Sequence, residues 1–83
     1  MRKNKDNILT IDLHGIRHKQ ALELVNKTLN EFSDKGNFSL TIITGNSTVL
    51  QERIFTECLE SSIFTYFIPS WNMGQIIVEN VSL

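Results

Sequence analysis

The sequence predicts an α/β fold: a two-layer sandwich in which two helices pack against a four-stranded mixed sheet. The first observation is the order of the predicted elements, β-α-β-α-β-β, because a strand, a helix and a strand in one small sheet imply a parallel pair with a right-handed crossover. The second is the length of 83 residues, which suits one domain with a small core. The third is a closing pair of strands around a short turn, which predicts a hairpin and therefore a mixed sheet.

The first half of the chain contains two predicted strands with a helix between them. Residues 1–7 are basic and polar and are predicted to form a flexible arm ahead of a domain over residues 8–83. The apolar run 8–13 predicts the first strand, and the β-branched run 39–43 predicts the second. A helix over about residues 17–33 is indicated by one stripe of apolar residues. The residues of this stripe are Leu22, Val25, Leu29 and Phe32.

The second half contains one helix and two strands. Residues 45–47 interrupt the strand pattern, and Thr48 with Gln51 three residues later fits a capping box that begins the second helix. This helix is predicted to run to about residue 61, with its inner face marked by Leu50, Ile54 and Cys58. The last strands are predicted at 64–68 and 75–81, with a turn at 71–74 between them.

Composition excludes several classes of protein. Apolar residues at 41% and charged residues at 20% are ordinary for a soluble globular domain. One cysteine, Cys58, excludes an internal disulfide, favours a reducing intracellular setting and is interpreted as a core residue. One thiol and two separated histidines predict no metal site. Without an apolar signal stretch or a run of ~18 apolar residues, the protein is predicted to be cytoplasmic, with no membrane partner.

The distribution of charge says more than the net charge of −1. Residues 1–35 carry +2, and residues 36–83 carry −3. The basic part of the chain includes Asp12 and His14, so an anionic partner is indicated at that end of the molecule.

Polar residues follow each of the first three predicted strands. In parallel α/β sheets, ligands bind outside the carboxyl ends of the strands. If these three strands run in the same direction, their following loops meet at one edge. The residues gathered there would be Asp12, His14, Gly45, Asn46, Ser47, Thr48, Trp71 and Asn72.

Asp12 and His14 have two interpretations. Two residues apart on an extended strand, their side chains would project to the same face, where a carboxylate can orient an imidazole for general acid/base work. The alternative is a buried structural histidine with Asp12 as its hydrogen-bond partner.

The loop before the second helix also has two interpretations. Gly45 would let the backbone approach a phosphate closely, and the helix start would offer backbone N–H groups beside the hydroxyls of Ser47 and Thr48. The alternative is a turn with an N-cap and no ligand.

Two further features point to nucleic acid. Arg17, His18 and Lys19 lie in the first turn of the first helix, where acidic residues are preferred, and such cations would suit a phosphate backbone. The alternative is a solvated helix end. Trp71 is either a core residue at the edge of the domain or a platform for stacking a base.

Residues 11–15, Ile-Asp-Leu-His-Gly, resemble the LDLHG opening of the Smr domain, the small MutS-related domain, and the similarity in element order covers residues 8–80. The resemblance implies a fold like the C-terminal domain of bacterial translation initiation factor three. It also implies an endonuclease, or a degenerate relative, acting on RNA or structured DNA. Asp12 and His14 match the family's proposed catalytic or substrate-contacting pair, Gly15 its motif glycine, and Gly45 the first glycine of its second motif.

The second motif departs from the family pattern HGxGxG followed by a basic residue. Thr44 replaces the histidine, the later glycines are missing, and the loop is about one residue shorter. Despite this departure, Gly15 and Thr44 are predicted to contact nucleic acid. The sequence therefore predicts an Smr-like endonuclease, with a non-catalytic nucleic-acid-binding module as the alternative and a protein-interaction domain as a third hypothesis. No cofactor is predicted; Mg²⁺ is possible but not indicated, because one carboxylate lies near the site.

Overall fold

A computed structural model describes residues 7–33 and 36–80. Its four strands are Asn7–Asp12 (β1), Phe38–Ile43 (β2), Thr65–Phe67 (β3) and Gln75–Asn80 (β4). Its helices are His18–Phe32 (α1) and Thr48–Ile54 (α2), and α2 continues into a π-helical turn, Phe55–Leu59. The predicted two-layer α/β order, β-α-β-α-β-β, is confirmed. The arm was predicted over residues 1–7; its first six residues lie outside the described residues, and Asn7 belongs to β1.

The sheet has the strand order β1-β2-β4-β3. β1 and β2 are parallel, with Asn7 opposite Phe38 and Asp12 opposite Ile43. β4 is antiparallel to both β2 and β3, so the sheet is mixed as predicted. Because β4 opposes both of its neighbours, β1, β2 and β3 run in the same direction. Their carboxyl ends therefore lie at one edge of the sheet, together with the start of β4.

α1 follows its predicted apolar stripe closely. Ala21, Leu22, Val25 and Leu29 are buried, and the helix ends at Phe32, within one residue of the predicted end. Thr28 is also buried, and its hydroxyl donates to the carbonyl oxygen of Leu24 at 2.8 Å, so no polar hydrogen is left unsatisfied there. The apolar period thus determines both the helix and the face that it buries.

The predicted capping box of α2 is wrong. Ser47, not Thr48, is the N-cap: it has an extended backbone, and its Oγ accepts a hydrogen bond from the Leu50 N–H at 3.2 Å. Gln51 does not reach back to the helix start, because its side chain is buried under the helix. The predicted inner face is confirmed, since Leu50, Ile54 and Cys58 are buried.

The core lies between the sheet and the two helices. Along β2 burial alternates, and Phe38, Leu40 and Ile42 point into the core with Ile76 and Val78 of the neighbouring strand. Each fully buried aliphatic side chain contributes about 1.5–3 kcal/mol relative to exposure, so this layer is the main source of stability. Within the described ranges, none of the helices has the length and apolar character required to cross a bilayer.

Candidate functional site

Three loops meet at the carboxyl edge of the sheet, and we call them together the loop rim. They are L1 (residues 13–17), L2 (residues 44–47) and L3 (residues 68–74). The N–H groups of Thr44 and Gly45 both donate to the carbonyl oxygen of Gly74, at 2.9 and 3.0 Å, so L2 and L3 are joined directly. L1 lies beside L2: a Cβ added at Gly45 would lie 3.6 Å from Cδ2 of His14. The loops predicted to converge are therefore neighbours.

Gln51, which the sequence assigned to a capping box and not to the site, connects L2 to L3 from the buried side of α2. Its Nε2 donates to Thr44 Oγ1 at 2.9 Å and to the Met73 carbonyl oxygen at 2.8 Å, and the side chain is buried. Gln51 lies three residues before the buried Ile54 and seven residues before the buried Cys58, so it falls on the inner face of the helix. That spacing is the signal that could have identified Gln51 as a buried polar group needing partners.

The turn after β1 is built differently from the prediction. β1 ends at Asp12, Leu13 is buried, and Oδ1 of Asp12 accepts a hydrogen bond from the backbone N–H of His14 at 2.9 Å. This is an Asx turn, in which the carboxylate holds the backbone of the loop. The expectation that both side chains project side by side from an extended strand is therefore wrong.

His14 is exposed at the loop rim, so the interpretation as a buried structural histidine is also wrong. In the described part of the chain, no side chain is hydrogen-bonded to its imidazole. Gly15 follows with φ at 81°, a left-handed conformation that costs L-residues about 1 kcal/mol or more. The motif glycine is thus required by the turn that presents His14.

The start of α1 is electropositive. Arg17 is the N-cap residue, with an extended backbone and no side-chain hydrogen bond capping this end, and no acid occupies the first turn. Arg17 and Lys19 are exposed, whereas His18 is partly buried. The first N–H groups of the helix, its dipole and two cationic side chains therefore face solvent beside L1, an arrangement that favours an anion.

L2 offers fewer contacts than predicted. Thr44 is buried, and its hydroxyl lies 3.1 Å from the carbonyl oxygens of both Gly45 and Gly74, so this residue supports the loop and does not reach a ligand. The Gly45 N–H is already bonded to L3. Asn46 and Thr48 are exposed, and Ser47 is partly buried because it caps α2. Asn46 and Thr48 remain the accessible candidates here.

L3 presents Trp71 to solvent. Its side chain is 74% exposed, so the interpretation as a core residue is wrong. Asn72 is exposed as well, and it shapes the turn: its N–H donates to the Pro69 carbonyl oxygen at 3.1 Å, and its Oδ1 accepts from the Gly74 N–H at 3.0 Å. L3 is therefore an ordered turn that carries an exposed indole.

Neither a metal centre nor a reactive thiol is found among the described residues. They contain no group of three or more His, Cys, Asp or Glu side chains that could hold a metal ion. Cys58 is buried in the core, and burial, with a smaller contribution from the charge of Glu57, raises the pKa of its thiol. Its thiolate is therefore disfavoured, and Cys58 is a packing residue.

The fold and the loop rim define a small α/β domain with an electropositive helix start at one edge of its sheet. The sequence profile of the Smr domain matches residues 11–65, more than half of the chain, and the chain belongs to the Smr domain family. The match includes L1 and L2 and ends before L3. Membership is consistent with nucleic-acid binding or nuclease function. A search of curated proteins and a search of solved structures gave no significant match.

Proposed function

We propose that this protein binds nucleic acid, RNA or structured DNA, through the loop rim. The observation that carries the proposal is the electropositive start of α1, placed beside L1 in a member of the Smr domain family. Its N–H groups, Arg17 and Lys19 would hold phosphate oxygens, while exposed Asn46 and Thr48 would contact the adjoining backbone. His18, Gly15 and Ser47 would line the same edge.

Among the described residues, the electrostatics favour this edge over the surface of α2. The chain as a whole carries −1, so attraction to a polyanion must come from a local concentration of positive charge. On α2 the exposed Arg53 is paired with Glu57 at 3.0 Å, which reduces its contribution. Arg17 and Lys19 have no acid in their helical turn.

Cleavage is the second candidate function, and the exposed imidazole of His14 favours it. In that mechanism His14 would take a proton from an attacking water or hydroxyl as its oxygen forms a bond to phosphorus. The bond from phosphorus to the leaving oxygen breaks, and that oxygen takes a proton from the imidazolium or from solvent. Asp12 would keep its place in the Asx turn and so fix the backbone of His14. Because the hydroxyl of Thr44 is buried, L2 supplies no partner for acid/base work. Binding is therefore proposed first and hydrolysis second.

The binding test compares charge variants on one helix. The double variant Arg17→Ala/Lys19→Ala removes both cations of the α1 start, and Lys27→Ala removes an exposed cation near the middle of the same helix. Affinity for labelled single-stranded RNA and branched DNA would be measured at several salt concentrations. We expect the double variant to bind more weakly and to reduce the salt slope by roughly 1.4–1.8 for two lost phosphate contacts, with Lys27→Ala close to wild type. Equal slopes for the two variants would contradict the proposed interface.

The cleavage test uses His14→Ala on the same substrates, with magnesium and with EDTA. If His14 acts as a general base, we expect product formation to fall by about 10²–10⁴-fold while binding is retained. Product formed at the wild-type rate by His14→Ala would exclude this role. A complex without product from the wild-type protein would leave binding as the function. The cytoplasmic location stays a prediction.

A further inference from the structure

We infer that the loop rim selects unpaired nucleotides, with a base stacked on Trp71 beside Met73. This inference rests on the proposed function and specifies its substrate class: a single strand, or an unpaired segment of a structured nucleic acid. It is carried by the exposure of two large side chains on L3 and by the way L3 is held in place.

Trp71 and Met73 expose a large aromatic and a large thioether side chain at a polar edge. The side chains are 74% and 67% exposed, respectively, and they belong to the same turn. Exposed apolar patches with a polar surround are typical of interaction sites. A flat indole and a flexible thioether together suit a planar, polarisable partner such as a nucleobase.

This exposure is not the result of a loose loop. Gln51 Nε2 donates to the Met73 carbonyl oxygen at 2.8 Å, and the Gly74 carbonyl oxygen accepts hydrogen bonds from the N–H groups of Thr44 and Gly45. These bonds tie the backbone on the C-terminal side of Trp71 to α2 and to L2. The turn is therefore pre-organised, and the cost of ordering it on binding is already met.

The charge near this edge fits a strand whose backbone lies across L1 and L2. The start of α1 is adjacent to L1, His14 of L1 lies beside Gly45 of L2, and L2 is bonded to L3. One ligand can therefore place phosphates near Arg17 and Lys19 and a base at L3. In a duplex, the faces of internal bases are covered by their neighbours. An exposed indole can stack only on a base whose face is free, and it does so with little preference for the base.

The experiment uses Trp71 as its own reporter, because it is the single tryptophan of the chain. An oligouridylate of about ten nucleotides, an oligothymidylate of the same length and a fully paired duplex would be titrated into the protein at low salt. We expect the single strands to quench Trp71 emission and the duplex to bind more weakly without quenching. The two single strands distinguish RNA from DNA.

Variants are then compared by anisotropy of labelled oligonucleotides. We expect Trp71→Leu, which keeps apolar bulk but removes the ring, to weaken single-strand binding by about tenfold, and Trp71→Phe to retain most of it. Ile63→Ala is the matched control, since Ile63 is 86% exposed in the connection that enters β3 at the opposite edge of the sheet. It should bind like wild type.

The outcomes separate this inference from the proposed function. If single strands and duplex bind equally and Trp71→Leu has no effect, selection of unpaired bases is overturned and nucleic-acid binding stands. If none of these oligonucleotides binds at low salt, this inference fails, and if the branched DNA does not bind either, the proposed function fails with it. If Trp71→Leu and Ile63→Ala weaken binding equally, stacking at L3 is overturned.

Discussion

Replacement of Gln51 by methionine tests whether the loop rim is held together by one buried amide. Methionine keeps the length and flexibility of the side chain but removes both N–H donors. Two hydrogen bonds are lost: the one to Thr44 Oγ1 at 2.9 Å and the one to the Met73 carbonyl oxygen at 2.8 Å. The packing of the aliphatic stem against the core is retained, so the change isolates the polar contribution.

The expected cost follows from these two bonds. A typical hydrogen bond contributes about 0.5–1.5 kcal/mol net, and an acceptor left without a partner in a buried site raises the cost. Methionine offsets part of this free-energy cost because it places more apolar surface in the core. We therefore expect a loss of about 2 kcal/mol in the free energy of unfolding. In a domain of this size that corresponds to a fall of roughly 8–16 °C in Tm.

The assay is urea and thermal denaturation followed by circular dichroism, with Gln20→Met as the control. Gln20 is an exposed helical glutamine on α1, so its replacement tests the general effect of methionine on a helix. Amide hydrogen exchange would add a local readout, because the N–H groups of Thr44 and Gly45 are bonded to Gly74 and should lose protection in Gln51→Met. Equal stability of the two variants, with unchanged exchange at Thr44 and Gly45, would refute the reasoning.

Two further predictions concern the second helix and its cysteine. Ser47→Ala should lower the free energy of unfolding, measured by urea denaturation, by about 1 kcal/mol because it removes the N-cap of α2. Thr48→Ala should lower it by less. A larger loss in Thr48→Ala than in Ser47→Ala would support the capping box predicted from the sequence. Burial raises the pKa of the Cys58 thiol, so the folded chain holds this proton more tightly than the unfolded chain. The stability from this group is present below the ordinary thiol pKa of 9.0 and lost as the pH rises through the folded value. Wild type should therefore lose stability with pH more steeply than Cys58→Ala, and parallel curves would contradict this expectation.

Much of the fold could be predicted because local chemistry and global packing agree. The apolar period of α1 marks the residues that it buries, and the β-branched run of β2 alternates into the core as a strand must. The direction of the strands followed from the crossover rule, which limits how a small sheet can connect. Convergence of L1, L2 and L3 at one edge of the sheet could therefore be predicted from the sequence.

The side-chain contacts within the loop rim could not be predicted from the sequence in the same way. Asp12 was expected to orient an imidazole, but its carboxylate bonds the backbone of His14, because the chain turns one residue earlier than the strand pattern suggested. The sequence is compatible with Trp71 in the core or in solvent. The number of apolar residues in a short chain does not decide between these two positions. Gln51 matched a motif at the helix start, whereas its partners lie in L2 and in L3, 22 residues away.

The sequence by itself determined the elements, their order, the face that each buries and the family motif at residues 11–15. Only the tertiary structure decided which polar groups face a ligand and which hold the loops together. The physical reason is that the apolar period of a segment indicates which of its faces is buried. That period depends only on the residues within the segment. The hydrogen bonds of Thr44, Gln51 and Gly74 depend on where distant backbone segments meet, and a pattern within one segment carries no information about that meeting.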